Sequence, residues 1–223
     1  MTRSKILAAA AASALALTFG TAASALTTFS LDLGNSAISG YPSPYGSVDV
    51  NLVNATTADV TFTAGSVGIY DYFFIDGGSA DVNVNATAWS VTNLAGNGGA
   101  LSDGGSGTVD GHGVFNQTLN QFDGFGQPST TISFRLTDHS GTWATSDDVL
   151  TANAAGHSVA AHIAVCDTSA NPTCNSDLGA VATGFATNGP RGIPEPTTWG
   201  MMLLGFFGAG ALLRRRRKTL AAA

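Results

Sequence analysis

The chain reads as an all-β protein: an antiparallel β-sandwich ectodomain, jelly-roll-like, flanked by an N-terminal signal helix and a C-terminal hydrophobic helix. Three observations predict it. The body is rich in Gly, Asn, Thr, Ser, Asp and Val and poor in the Glu, Lys, Arg, Gln and Met that stabilise helices. Apolar and polar residues alternate with period two in several short runs. Clusters of Gly, Asn and Asp, which favour turns, separate those runs. The stretch 26–188 is long enough for one core of this kind.

The runs can be taken in order. Val48, Val50 and Leu52 alternate with Asp49 and Asn51, and Val60 and Phe62 with Thr61 and Thr63. Ile69 to Ile75 is the most apolar run and is expected to be a central strand. Val82, Val84 and Ala86 continue towards Trp89 and Val91. Ile132, Phe134 and Leu136 form the next strand, then Val159, Ala161, Ile163 and Val165, with Val181 and Phe185 opening a last one. Asn93 to Gly113 is mostly Gly, Ser, Asn and Asp and reads as a long, mobile loop. The likeness of 49–56 to 81–87 reflects shared strand chemistry rather than duplication.

The ends carry export signals. Arg3 and Lys5, an apolar stretch from Ile6 to Phe19 and the small-x-small site Ala23-Ser24-Ala25 have the layout of a secretory signal peptide, cut after Ala25. Near the other end stand Pro194-Glu195-Pro196, Trp199, a greasy run from Gly200 to Leu213, and the basic cluster Arg214, Arg215, Arg216, Arg217 and Lys218. Segments 189–193 and 219–223 read as a linker and a short tail. The fourteen residues 200–213 reach about 21 Å as a helix, short of a hydrocarbon core of about 30 Å. A transient span, later cut, therefore fits better than a permanent anchor. The basic cluster stays cytoplasmic and leaves the body outside.

Removing both signals makes the body strongly acidic. Of nine Lys and Arg, two lie at positions 3 and 5 and five at 214–218, so the stretch 26–213 holds Arg135 and Arg191 against fifteen acids, a net charge of −13. Such a body repels phosphate backbones and anionic lipid, which excludes nucleic acid as a partner. Cations and neutral glycans are its natural partners.

Cys166 and Cys174 flank a turn-rich segment and can close a small disulfide loop in an oxidising compartment, worth about 2–3 kcal/mol. A redox or zinc role would need a CxxC spacing or further ligands.

Catalytic constellations are not evident. Neither a Gly-x-Ser-x-Gly elbow nor a His-Glu-x-x-His pair occurs, and no spacing singles out a carboxylate pair among fourteen Asp. Asp147-Asp148 read as turn residues, and His112, His139, His157 and His162 as polar-face residues. The body is expected to be no enzyme and to need no cofactor. Calcium at Asp103 and Asp110, with Asp123 as a further ligand, stays open as a weak alternative, because 103–113 faintly resembles a Gly-Gly-x-Gly-x-Asp calcium roll.

The C-terminal segment resembles the PEP-CTERM sorting segment of Gram-negative bacteria. The residues that carry the likeness are Pro194, Glu195 and Pro196, then Trp199 with Gly200 where the PEPxxWA variety has Ala, and the cluster 214–217. The segment is also labelled an ice-binding protein C-terminal domain, a label that concerns the tail and not the body. The resemblance implies recognition and cleavage by an exosortase, a transient stay in the inner membrane, and delivery to the cell surface or an exopolysaccharide biofilm matrix. It makes Pro194–Pro196 a substrate motif. Two prolines keep that motif extended, as presentation to an enzyme cleft requires. The body itself resembles no family. It is expected to be a noncatalytic structural or weak glycan-binding domain, with Tyr41, Tyr45 or Trp143 stacking on sugars if exposed. The alternatives are a secreted hydrolase of polysaccharide and a calcium-dependent adhesin.

Overall fold

A computed structural model describes residues 26–123, 126–170 and 179–189. The expected signal peptide with Ala23 and Ala25, Cys174, and the expected sorting segment from Pro194 onward lie outside the described residues. The strands are β1 (Thr27–Leu31), β2 (Leu33–Gly34), β3 (Gly46–Asn54), β4 (Thr57–Ala64), β5 (Ser66–Val67), β6 (Tyr70–Phe74), β7 (Asp76–Val82), β8 (Trp89–Gly96), β9 (Ser102–Val109), β10 (Gly113–Gln121), β11 (Thr131–Asp138), β12 (Val159–Asp167) and β13 (Ala180–Thr187). No α-helix occurs among the described residues.

The strands form two antiparallel sheets. Sheet A runs β1-β3-β4-β11-β8 and sheet B runs β2-β13-β12-β7-β10-β9, with β6 also on β12 and β5 on β6. The expected sandwich is thus present, and period two accounts for its registers. Val48 lies opposite Phe62, which lies opposite Ile132; Val50, Val60 and Phe134 form the next row, and Leu52, Ala58 and Leu136 the third. All nine are buried in one core with Phe74, Val82, Val159, Ile163 and Val165 from sheet B. Phe62 joins the layers, meeting Phe74 edge-on at 5.9 Å and stacking on Phe134 at 6.2 Å. Each such Val, Leu, Ile or Phe side chain contributes about 1.5–3 kcal/mol by leaving water. The β3–β4 turn closes on Asn54, whose Oδ1 accepts the Thr56 amide at 3.0 Å.

β12 explains the apolar run that contains it. Val159, Ala161, Ile163 and Val165 face the main core, while Ala160 and Ala164 are buried from the opposite side. Ala160 belongs to a small second cluster with Val109 and Phe115, against which Phe185 packs.

Two expectations need correction. The Gly-rich stretch 93–113 is not a long loop: it holds the end of β8 and all of β9. The glycines serve packing there. A Cβ at Gly104 would lie 2.3 Å from Asn120 Nδ2, and one at Gly107 would lie 2.7 Å from Thr118 Cγ2. Side chains of β10 therefore lie across a strand that has none in those places. The second correction concerns 82–91, which is not one continuous strand. β7 ends at Val82 in sheet B, and Trp89 opens β8 in sheet A.

Sheet B also contains a wide bulge. Phe74 pairs with Ile163 and Asp81 with Ala160, so seven steps along β6–β7 match three along β12. The surplus sits at 75–79, where Asp76 (φ 51°) and Gly78 (φ 71°) adopt left-handed backbone.

Candidate functional site

A concavity lies where the β7–β8 and β11–β12 connections meet. Two segments, 83–87 and 138–151, run side by side. Val84 bridges Leu150, the Asn85 amide donates to the Val149 carbonyl, and the Thr151 amide donates to the Asn83 carbonyl. Ser146 fixes the second segment to sheet A by accepting the Leu52 amide at 3.0 Å, and Thr27 Oγ1 donates to Asp147 at 2.8 Å. Asn116 of β10 serves as a surrogate strand residue: its side chain accepts from the Val84 amide at 2.7 Å and donates to the Val84 carbonyl at 2.9 Å.

The cleft so formed encloses about 720 Å³. Amides line it (Asn83, Asn85, Asn116), with hydroxyls (Thr87, Ser140, Thr142, Thr151) and two carboxylates (Asp138, Asp148). Lys and Arg are absent from the lining. Trp143 forms part of the wall but is 2 % exposed, and its indole N–H donates to the Asn85 carbonyl at 2.9 Å.

The hydrogen bonds give the cleft a polarity. Nδ2 of Asn83 donates to the Thr151 carbonyl and Nδ2 of Asn85 to the Asp148 carbonyl, at 3.2 and 2.8 Å. Oδ2 of Asp148 accepts the amide and hydroxyl of Thr145, both at 2.9 Å. Among the described residues no donor takes Oδ1 of Asn83, Asn85 or Asp148, so these oxygens keep free acceptor capacity. Asp138 caps its own turn through Oδ1, accepting the Ser140 amide and hydroxyl at 2.7 Å and the Gly141 amide at 3.0 Å. Burial works to raise this carboxyl, but the bonds from Ser140 and Gly141, with His139 nearby, hold it below the usual carboxylate range. An ionised acceptor is the opposite of a general acid, whose proton must survive at neutral pH.

The residues singled out from sequence fall elsewhere. Asp103 Oδ1 accepts the Gly105 amide and Gln117 Nε2, each at 2.8 Å. Asp110 Oδ2 accepts Asn35 Nδ2 at 3.1 Å. Asp103 stands near the start of β9 and Asp110 just past its end, seven residues apart, a separation of about 23 Å along an extended strand. Asp123 Oδ2 accepts the Ala100 amide at 3.1 Å. The three carboxylates do not converge, and no group of three metal-ligating side chains occurs among the described residues. Tyr45 and Trp143 are core residues rather than exposed stacking faces. Tyr45 donates to the Ile38 and Tyr41 carbonyls at 2.9 and 3.1 Å, and Tyr41 meets Tyr70 edge-on at 5.2 Å. Cys166 is buried on β12, and its expected partner Cys174 lies outside the described residues.

Two ring contacts carry no local sequence signal. His112 and His157 meet edge-to-face at 5.3 Å, and His162 stacks on Phe185 at 4.4 Å. Long-range strand pairing makes both, and no local spacing announces them.

No protein-family model matches the chain, and neither a curated protein nor a solved structure is similar to it beyond chance.

Proposed function

We propose that the chain is an exported surface or matrix protein whose noncatalytic body holds a neutral, hydroxyl-rich glycan in the cleft between 83–87 and 138–151. The observation that carries this reading is the row of side-chain acceptors at Asn83, Asn85 and Asp148 in a cleft without Lys or Arg. Sugar hydroxyls supply matching donors, whereas an anionic ligand would meet two carboxylates and no cation. With Trp143 buried, affinity would come from hydrogen bonds and be weak, suiting a matrix component present in many copies.

Export and sorting complete the proposal. The signal peptide brings the chain across the inner membrane, and an exosortase cuts near Pro194-Glu195-Pro196 after a transient stop at Arg214–Lys218. Cys166 and Cys174 close a disulfide loop beside β12. A jelly-roll-like relationship for the sandwich, and helices at both ends, belong to the same proposal. The calcium-dependent reading is weaker, since Asp103, Asp110 and Asp123 each bond to different parts of the chain. The hydrolase reading would need a cleft carboxyl that keeps its proton, and Asp138 is shifted the other way.

A glycan array and a pull-down on exopolysaccharide test the function. Retention without shortening of the polymer supports it; turnover of the polymer replaces it with the hydrolase reading.

A further inference from the structure

Sheet B holds a carboxyl group that the cleft does not use. Asp81 on β7 is fully buried, and neither carboxylate oxygen has a hydrogen-bond partner. Its cross-strand neighbours are Thr118 on β10 and Ala160 on β12. A Cβ placed on Gly78 would lie 2.9 Å from Asp81 Oδ2 and 3.3 Å from Phe185 Cε1, so ring, bulge backbone and carboxyl crowd one spot. An ionised carboxylate there would lack water, a cation and any donor.

Ala160 links this site to the hairpin of β9 and β10. Val109 and Phe115, at the hairpin's tip, pack with Ala160 and Phe185 in the small second cluster. Side-chain contacts hold the tip down. His112 Nε2 donates to the Phe185 carbonyl at 3.2 Å, Asn35 Nδ2 bonds to Asp110 at 3.1 Å, and Asn153 Nδ2 bonds to the His112 and Val114 carbonyls at 3.0 and 3.1 Å. Phe185 packs on this cluster and its ring edge lies at the spot that Asp81 Oδ2 crowds, so the tip and the carboxyl share one packed patch.

We propose that Asp81 is a proton-operated latch: the β9–β10 tip stays folded over the outer face of sheet B while the carboxyl is neutral, and opens when it ionises. Burial pushes the Asp81 carboxyl well above the usual range, so the closed form keeps its proton where an exposed Asp has lost it. The sign follows by linkage. The closed state binds the extra proton, so closure weakens as pH rises above the ordinary Asp value and is fully weakened above the raised one. Opening would expose Val109, Phe115 and Phe185 as an apolar patch.

The titratable groups on the elements around it include Asp76 in the bulge, His162 on β12, Asp103 on β9, Asp110 and His112 at the tip, and His157 before β12; β13 carries no titratable side chain. His112 is the competitor. Burial lowers its pKa, its bond to the Phe185 carbonyl opposing, so its effect would open the tip as pH falls. The two switches have opposite signs.

Hydrogen exchange of the full chain from about pH 5 to about pH 9, corrected for intrinsic rates, tests the latch. The account predicts that amides of 109–115 lose at least tenfold in protection as pH rises, and that Asp81→Asn removes this loss. Protection independent of pH, an opening only towards acid, or an unchanged response in Asp81→Asn would overturn it. If Asp81→Asn fails to fold, the carboxyl carbon shift of Asp81 in the wild type decides: its titration must coincide with opening, and a carboxyl already ionised at about pH 5 refutes the latch.

Discussion

The imidazole of His162 lies flat on the ring of Phe185, with centroids 4.4 Å apart and planes 19° from parallel. The pair spans β12 and β13 directly opposite in register. Nδ1 of His162 is buried without a partner. Burial pushes the imidazole pKa down, while nearby Asp76 and a hydrogen bond to Gly77 pull against it. The folded state therefore prefers the neutral ring. Stability from this preference is complete above the ordinary His value of about 6.5 and declines as pH falls through the depressed one. Replacing His162 with Phe keeps the stack and removes the titration. Thermal melts should show a smaller loss between pH 7 and pH 5 in His162→Phe than in the wild type.

Phe62 ties the two sheets together, and its removal leaves a cavity against both Phe74 and Phe134. Phe62→Ala should cost about 3–5 kcal/mol. Urea unfolding monitored by fluorescence would read this as a lower midpoint with a similar slope.

Glycines in and near β9 separate two causes of destabilisation. At Gly104 the obstacle is packing, since a Cβ would sit 2.3 Å from Asn120 Nδ2; Gly104→Ala should cost about 1–3 kcal/mol. At Gly105 nothing lies within 4 Å, but φ is 64°, so Gly105→Ala should cost about 1 kcal/mol through backbone strain alone. Gly40 has neither obstacle, and Gly40→Ala should stay within about 0.5 kcal/mol of the wild type. Equal effects at all three positions would contradict this ranking.

Much of the sandwich was legible in the sequence because alternation is a local signal. The strands around Val48, Val60, Ile132 and Val159 appear where period two places them. β9 was not legible, because its side chains are replaced by those of β10 lying across it, and a strand of Ser, Asp and Gly looks like a loop from composition alone. β10 was missed because Asn116, Gln117, Asn120 and Gln121 interrupt its apolar pattern; Asn116 and Gln117 hold neighbouring segments instead. The cleft was hidden for a third reason. Asn83, Asn116 and Asp148 are far apart in sequence and meet only through tertiary pairing. Asp81 reads as one of fourteen aspartates until the fold buries it.

The sorting proposal has its own consequence. Glu195→Ala should leave uncut precursor in the inner membrane, seen as a larger band in the membrane fraction on immunoblots. Normal maturation of this variant would remove exosortase recognition of Pro194-Glu195-Pro196 from the account.

The most direct measurement is retention of the purified protein on exopolysaccharide, comparing the wild type with a variant whose cleft is filled. Thr142 and Ala144 line the cleft and are exposed, so Thr142→Arg with Ala144→Arg should block it without disturbing the core. The account predicts that the wild type is retained, that polymer length is unchanged, and that the double variant loses at least tenfold in retention while melting normally. No retention of the wild type, equal retention of the blocked variant, or shortening of the polymer would contradict it.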